Sequence, residues 1–229
     1  MTTQPSGTVT FVFSDIEGST GLLKRLGERY AELLAEHRRV VREIFVRHGG
    51  VEIDTQGDAF FFAFARARDA VAAAAETQFA HAEREWPGGE DVHVRMGLHT
   101  GEPAVGEEGY LGVDVVRAAR LSATGKGGQV LLSETTRALL GSSLPEGVSV
   151  HAIGERHLKD MDEPERVFEL AIEGVEVTDH MPPATTRESK LGGDWDFRTE
   201  ELSKRMSEKI NKRVHEALER SLGKLGEKD

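Results

Sequence analysis

The 229-residue sequence contains no cysteine, which excludes a disulfide framework and any thiolate metal site. Its nine histidines form no HxxxH pair and no His-rich tract, so a zinc site finds no support. Basic residues are outnumbered, 29 Lys and Arg against 40 Asp and Glu. The formal net charge of −11 argues against a general nucleic-acid binder and against a polybasic membrane patch. A small phosphate-bearing molecule stays open, because a few local cations suffice to hold it. No apolar stretch reaches membrane-spanning length. The start, MTTQPSGTVTF, lacks a basic region followed by an apolar run, so no signal peptide is expected and a cytoplasmic location is the default. No G-x-G-x-x-G follows a strand and no Walker lysine motif occurs, which argues against dinucleotide-binding and P-loop chemistry.

What is present is organised around residues 11–20, FVFSDIEGST. Val9, Phe11 and Phe13 alternate with smaller or polar neighbours, which predicts a strand with one buried face. The strand delivers Asp15 to its carboxyl end. Glu17-Gly18-Ser19-Thr20 then forms a tight turn into a long amphipathic helix. Backbone N–H groups at a helix N-terminus favour an anion and a carboxylate favours a cation, so this spot suits a phosphate and a metal ion together. The alternative is that Asp15 only caps the helix. Residues 51–64, VEIDTQGDAFFFAF, predict two short strands joined at Gln56-Gly57-Asp58. With that hairpin beside the first strand, Asp15 and Asp58 converge. Two carboxylates sharing a site repel unless a cation lies between them. For Asp58 the alternative is an ordinary turn residue.

The helical stripe from Ser19 to His48 ends at Gly49-Gly50, and Gly27 is a candidate break. His37 falls on its apolar side, as a packed residue rather than a ligand. Ala67 to Trp86 is a second, alanine-rich helix whose small face (Ala70, Val71, Ala74, Ala75) suits close packing on a sheet. Val92 to Gly101 alternates as a strand, carrying His93 and His99 as sheet residues, and Glu102 to Gly109 is a turn or hairpin loop. Gly112 to Ala123 is a third helix. Arg117 and Arg120 share one of its faces, Arg117 as a solvated surface residue. A strand at 129–133, a short helix to Leu140, and closing strands near 148–158 and 166–172 follow. This order fits an α+β, ferredoxin-like palm: an antiparallel-rich sheet covered by helices. Periodicity fails over 173–198, a linker with Pro182-Pro183 and Gly192-Gly193. In 199–229, Leu202, Met206, Ile210, Val214, Leu218 and Leu222 recur at four-residue steps, as on an amphipathic helix that packs on the domain or on a partner copy.

Taken together, these pieces resemble the catalytic domain of class III nucleotidyl cyclases, the adenylyl and guanylyl cyclases. The resemblance rests on FVFSDIEGST at 11–20, QGDAF at 56–60, VRMGLHTGE at 94–102, AARL at 118–121, GGQVLLS at 127–133 and LKDMDEPERVFEL at 158–170. These stretches fall in order across about residues 8–171. The resemblance implies conversion of a nucleoside triphosphate to a 3′,5′-cyclic nucleotide and pyrophosphate, in a head-to-tail homodimer, with two Mg²⁺ or Mn²⁺ ions per site. One chain would hold the metals through Asp15, Asp58 and the backbone carbonyl of Ile16. Its Gly18-Ser19-Thr20 turn would face the phosphates. The other chain would supply Arg120 to the transition state and Lys159 to the triphosphate. No side-chain nucleophile is needed, so the lack of a catalytic Ser–His or Cys–His pair is expected.

Four positions depart from the family pattern. Asp54 stands where adenylyl cyclases carry a base-reading lysine, Gly109 where they carry a second base reader, and Val116 where an asparagine helps to hold the ribose. Glu102 replaces a phosphate-contacting arginine of some members. A carboxylate only accepts hydrogen bonds, and guanine offers two adjacent donors, so Asp54, if it faces the base, disfavours the usual adenine contact and leaves guanine or a pyrimidine open; the alternative is that it points elsewhere and the pocket is unselective. The alternative function is a degenerate cyclase-like domain that binds a nucleotide or a partner without turnover. A diguanylate cyclase is disfavoured because no GGDEF-like turn occurs.

Overall fold

A computed structural model describes residues 4–106, 109–141 and 144–178. The linker beyond residue 178 and the tail helix expected over 199–229 lie outside the described residues. β1 (Val9–Ile16) leads into α1 (Ser19–Leu26). Gly27, at φ 56, ends α1, and a 3₁₀ turn Gly27–Arg29 re-aims the chain into α2 (Tyr30–Arg47), so the expected break is real. β2 (Val51–Gln56), β3 (Ala59–Phe64), α3 (Ala67–Ala82) and β4 (Val94–Gly101) follow. After them come β5 (Ala104–Gly106), β6 (Gly109–Leu111), α4 (Val113–Ala123), β7 (Val130–Ser133), α5 (Glu134–Leu140), β8 (Val148–Arg156) and β9 (Glu165–Ile172).

Seven strands form one sheet in the order β2-β3-β1-β4-β7-β9-β8. Its first four are antiparallel neighbours, with helices crossing between β1 and β2 and between β3 and β4. That is the expected ferredoxin-like α+β arrangement, extended on the far side of β4, where β7 pairs in parallel. Among the described residues no helix is long and apolar enough to cross a membrane.

Several boundaries differ from the sequence expectation. α3 stops at Ala82, four residues before Trp86, because the indole is buried and its Nε1–H donates to the carbonyl of His81 at 3.1 Å. β4 begins at Val94, which leaves His93 outside the strand; its carbonyl accepts from the Glu17 N–H at 2.9 Å. Residues 104–106 and 109–111 pair as a two-stranded ribbon, the hairpin form of the expected turn or hairpin loop, reaching two residues further than expected.

β1 was expected to bury one face and buries both. Val12 and Ile16 share the main core with Phe60, Phe62, Phe64, Met96 and Leu98, beneath α2 and α3. Ala70, Val71, Ala74 and Ala75 of α3 are buried there, as their small size suggested. Phe11 and Phe13 point to the opposite face. Phe13 stacks on Phe61 with ring centres 4.4 Å apart, and Phe11 meets the Tyr110 ring edge at 4.9 Å. α4 lies directly on this second face. A Cβ on Gly97 of β4 would come within 2.8 Å of the Ala118 carbonyl oxygen and closer still to the Ser122 nitrogen, so only glycine lets the helix backbone sit there. Two buried faces leave β1 little freedom, and the site is built on its end.

Candidate active site

The register of β1 on β4 places Asp15 opposite Arg95. Arg95 grips the carboxylate with two hydrogen bonds, Nε–H to Oδ1 at 2.7 Å and Nη2–H to Oδ2 at 3.0 Å. Both side chains are mostly buried, with Asp15 at 7% and Arg95 at 12% of their free exposure. The second carboxylate arrives from the β2–β3 hairpin. Gly57, at φ 59, makes the tight turn, and Asp58 beside it is buried. The Ile16 N–H donates to Asp58 Oδ2 at 3.1 Å. Asp15 and Asp58 thus flank one peptide unit of β1, and the expected convergence is present. The N-cap of α1 is Gly18, at φ 66, which brings no side chain, and Ser19 and Thr20 form the first turn of that helix.

The hairpin tip is fastened to α2. The Gly57 carbonyl accepts from Arg38 Nε at 2.8 Å and Nη2 at 2.6 Å. The Asp58 carbonyl lies 3.0 Å from His37 Nε2, and His37 Nδ1 lies 3.0 Å from His81 Nε2. His81 Nδ1 in turn faces the Thr77 carbonyl at 2.7 Å. Burial pushes His37 down to about 4 and His81 to about 3, so both rings are neutral at neutral pH. Two neutral rings hold two N–H protons for these three contacts, so one contact is made without a proton.

Asp15 and Asp58, with the backbone carbonyl of Ile16 as a further candidate, offer oxygen donors only. Such a set suits a hard divalent cation such as Mg²⁺ or Mn²⁺. Among the described residues no group of three or more His, Cys, Asp or Glu forms a metal cage. Mg²⁺ bound through one or two carboxylates plus substrate phosphates needs no such cage.

Asp54 pairs across with Phe61, which pairs on its other side with Phe13, so Asp54 shares the face that carries Phe13 and Asp15. A bulge between Glu52 and Asp54 sets this register. Asp54 Oδ1 accepts from the Thr55 N–H at 2.9 Å and Oδ2 from Gln56 Nε2 at 3.0 Å. Asp54 therefore lies on the site's side of the sheet with its carboxylate steadied by its own strand.

Arg120 and Lys159 are carried by other elements. Arg120, near the end of α4, is buried, and its Nη2–H donates to Asp160 Oδ2 at 2.6 Å. Asp160 follows Lys159 in the β8–β9 connection and adopts φ 62. The structure thus brings Arg120 and the Lys159 loop together, while Asp15 and Asp58 hang from β1 and the hairpin beside it. Arg117 was expected as a solvated surface residue. It is instead partly buried and ion-paired to the buried Glu165 at the start of β9.

Arg95 is the neighbour of Asp15 that sequence reasoning missed. The alternation of VRMGLHTG puts Arg95 on the same face as Gly97 and His99, but only strand register reveals Asp15 as its neighbour. The structure also contains a serine–histidine–aspartate line that was not expected. His99 Nδ1 lies 2.9 Å from Ser133 Oγ and His99 Nε2 lies 3.0 Å from Asp114 Oδ1. Ser133 is fully buried and its hydroxyl caps α5, so no substrate reaches it; the trio ties β4, β7, α4 and α5 together.

Comparison with known proteins defines the class. The adenylate and guanylate cyclase catalytic domain family matches residues 1–171, and the chain belongs to that family. An uncharacterised protein of Mycobacterium tuberculosis is 35% identical over 187 residues, covering 81% of this chain. The chain spans 62% of that relative's length. An adenylate cyclase of Lachancea kluyveri is 32% identical over 154 residues, covering 56% of this chain and 8% of the relative. Among solved structures, an adenylate cyclase from Trypanosoma brucei in its monomeric state superposes with a TM-score of 0.68 at 24% identity, covering 77% of this chain and 97% of the other. The guanylate cyclase domain of RhGC from Catenaria anguillulae, in complex with GTP, superposes with a TM-score of 0.66 at 20% identity, covering 74% of this chain and 99% of the other. At these identities the structural likeness establishes the fold.

Proposed function

We propose that this chain cyclises a nucleoside triphosphate of the ATP or GTP class to a 3′,5′-cyclic nucleotide and pyrophosphate, at a site completed by a second copy lying head to tail. The observation that carries this reading is the meeting of Asp15 and Asp58 at the end of β1 in a chain of the cyclase family. The paired acids stand on β1 and its hairpin, whereas Arg120 and Lys159 stand at α4 and the β8–β9 connection. A second copy turned head to tail would set the basic group of one chain against the acidic group of the other.

The ribose 3′-oxygen attacks the α-phosphorus in line and pyrophosphate leaves, so positioning and charge stabilisation do most of the work. Asp15, Asp58 and the Ile16 carbonyl would hold Mg²⁺ or Mn²⁺, which when bound lowers the pKa of the attacking hydroxyl and neutralises the leaving oxygens. The first-turn N–H groups of α1, at Gly18, Ser19 and Thr20, face the phosphate charge. Arg95 holds Asp15 in a fixed orientation. The partner's Arg120 would stabilise the charge that develops at the α-phosphoryl group, a role worth roughly 10²–10³ in rate for one donor. For that, Arg120 must exchange Asp160 for phosphate. Lys159 would bind the triphosphate. Asp54, on the same face and acceptor-only, favours guanine's paired donors over the single amino group of adenine.

The test is pyrophosphate release from each of the four nucleoside triphosphates with Mn²⁺. Turnover that disappears in Asp15→Ala supports the proposal; no turnover of any of them refutes it. The second reading, a domain that binds nucleotide without turnover, is favoured by Val116 at the ribose-holding position and by the Arg95 fork across Asp15. Saturable nucleotide binding with no pyrophosphate released would establish it. Residues 1–172 would be the catalytic domain, 173–198 a linker, and 199–229 a C-terminal amphipathic helix.

A further inference from the structure

We propose that His37 and Arg38, adjacent residues of α2, are positioning residues for Asp58: they hold the hairpin tip by its carbonyls so that the carboxylate is fixed before any cation arrives. The proposal rests on the cyclase reading, because it concerns a carboxylate assigned there to the metal.

A two-residue hairpin tip is ordinarily a mobile place, and a ligand carried on it inherits that motion. Here the tip carries a buried carboxylate. Three contacts from one helix act on it: two N–H groups of Arg38 on the Gly57 carbonyl and His37 Nε2 on the next carbonyl, that of Asp58. Consecutive helix residues project about 100° apart, so a point reached by both lies in the angle between them and is fixed in two directions. The Ile16 N–H then fixes the carboxylate end at 3.1 Å. Backbone and side chain of Asp58 are thereby held from opposite sides, by α2 and by β1.

His37 is a costly residue for simple packing. It lies in the apolar stripe of α2, fully buried, where a leucine would fill the core without a polar atom to satisfy. Its orientation is itself fixed by His81 and by the Phe60 ring, with centres 5.7 Å apart. In the tautomer with its proton on Nε2, His37 donates to the Asp58 carbonyl and accepts at Nδ1 from His81, and the 2.7 Å contact of His81 Nδ1 with the Thr77 carbonyl is then the one made without a proton. Outer partners of this kind hold metal ligands in register, and their loss typically weakens metal binding about 10–100-fold.

The test uses the full chain and Mn²⁺ alone, with bound metal read from the loss of the free-ion electron paramagnetic resonance signal. Arg38→Met keeps the stem and removes the donors. His37→Phe keeps a ring and removes the N–H. Each is expected to weaken Mn²⁺ binding roughly tenfold, with Arg38→Lys recovering part of the loss. In turnover, the Mn²⁺ concentration for half-maximal rate should rise in parallel. The KM for nucleoside triphosphate at saturating Mn²⁺ should stay within about twofold, a split that general loosening of the fold would not produce. Arg38 is partly exposed, so its variant remains informative if His37→Phe does not fold. Wild-type Mn²⁺ affinity in Arg38→Met, alongside loss of binding in Asp58→Asn, overturns the positioning role and leaves the cyclase reading standing. Wild-type protein that shows no Asp58-dependent Mn²⁺ binding overturns the positioning role, while the cyclase reading stands or falls on pyrophosphate release.

Discussion

Arg95→Met isolates the charge balance at the site. Arg95 faces Asp15 through two hydrogen bonds of 2.7 and 3.0 Å, with both side chains largely out of water. Methionine keeps most of the apolar stem and removes the guanidinium. Two buried carboxylates, Asp15 and Asp58, then share the end of β1 without that fork. Breaking one side of a buried ion pair costs about 3–5 kcal/mol, because the remaining charge is left uncompensated. A divalent cation held by the carboxylates would replace the positive charge of the lost guanidinium. Ligand at 100 times its dissociation constant stabilises a folded protein by about 2.7 kcal/mol. That increment should be larger in the variant than in the wild type, where the cation competes with the Arg95 fork. The assay is urea unfolding of both proteins, once in EDTA and once in excess Mn²⁺. We predict a deficit of about 3 kcal/mol for the variant in EDTA, much of it recovered in Mn²⁺. An equal Mn²⁺ increment in the two proteins, or a deficit below about 1 kcal/mol in EDTA, refutes the idea that guanidinium and metal serve the same carboxylates.

Further expectations follow from the same geometry. Burial depresses His37 to about 4 and His81 to about 3 in the folded chain, against about 6.5 when unfolded, so the unfolded state binds more protons in between. Their contribution to stability is complete above pH 6.5 and is lost as pH falls towards 4 and then 3, each ring adding a slope of about 1.4 kcal/mol per pH unit. Urea unfolding from pH 7 to 4 should show it, and His81→Gln should flatten the curve. Asp160→Gly removes the carboxylate that occupies Arg120 and eases a left-handed backbone at φ 62. Asp160 is mostly exposed, so the pair is worth about 1 kcal/mol or less, and steady-state kinetics should show the KM for triphosphate falling up to about fivefold. A raised KM would mean that Asp160 assists Arg120. Gly97→Ala forces β4 and α4 apart and should cost about 3 kcal/mol in chemical denaturation, with lowered turnover because Arg120 rides on α4.

Much of the palm could be read from residue patterns. Alternation in β1, the Gly-Asp turn and the alanine face of α3 each report a local constraint, and local constraints survive into the fold. What escaped notice depends on distant partners. β1 buries both faces because α4 settles on Gly97, a contact between β4 and a helix some twenty residues later. Arg95 reads as an ordinary strand arginine until the sheet register sets Asp15 beside it. His37 reads correctly as a packed helix residue, but its bond to the Asp58 carbonyl exists only once the hairpin folds over α2. Arg117 looked like a surface charge because Glu165 lies 48 residues away in sequence. Of the candidate site, the paired acids were visible through their turn and strand-end positions. The pairing of Arg120 with the loop that carries Lys159 was legible only through the family resemblance.

Division of the site between two chains is tested most directly by mixing Asp58→Asn protein with Arg120→Ala protein. Each variant alone is predicted to be inert. In a mixed dimer one site carries both lesions and the other carries none. Half of the dimers in an equal mixture are mixed, so about a quarter of the wild-type rate should return. A mixture that stays inert while both variants still dimerise would contradict the account.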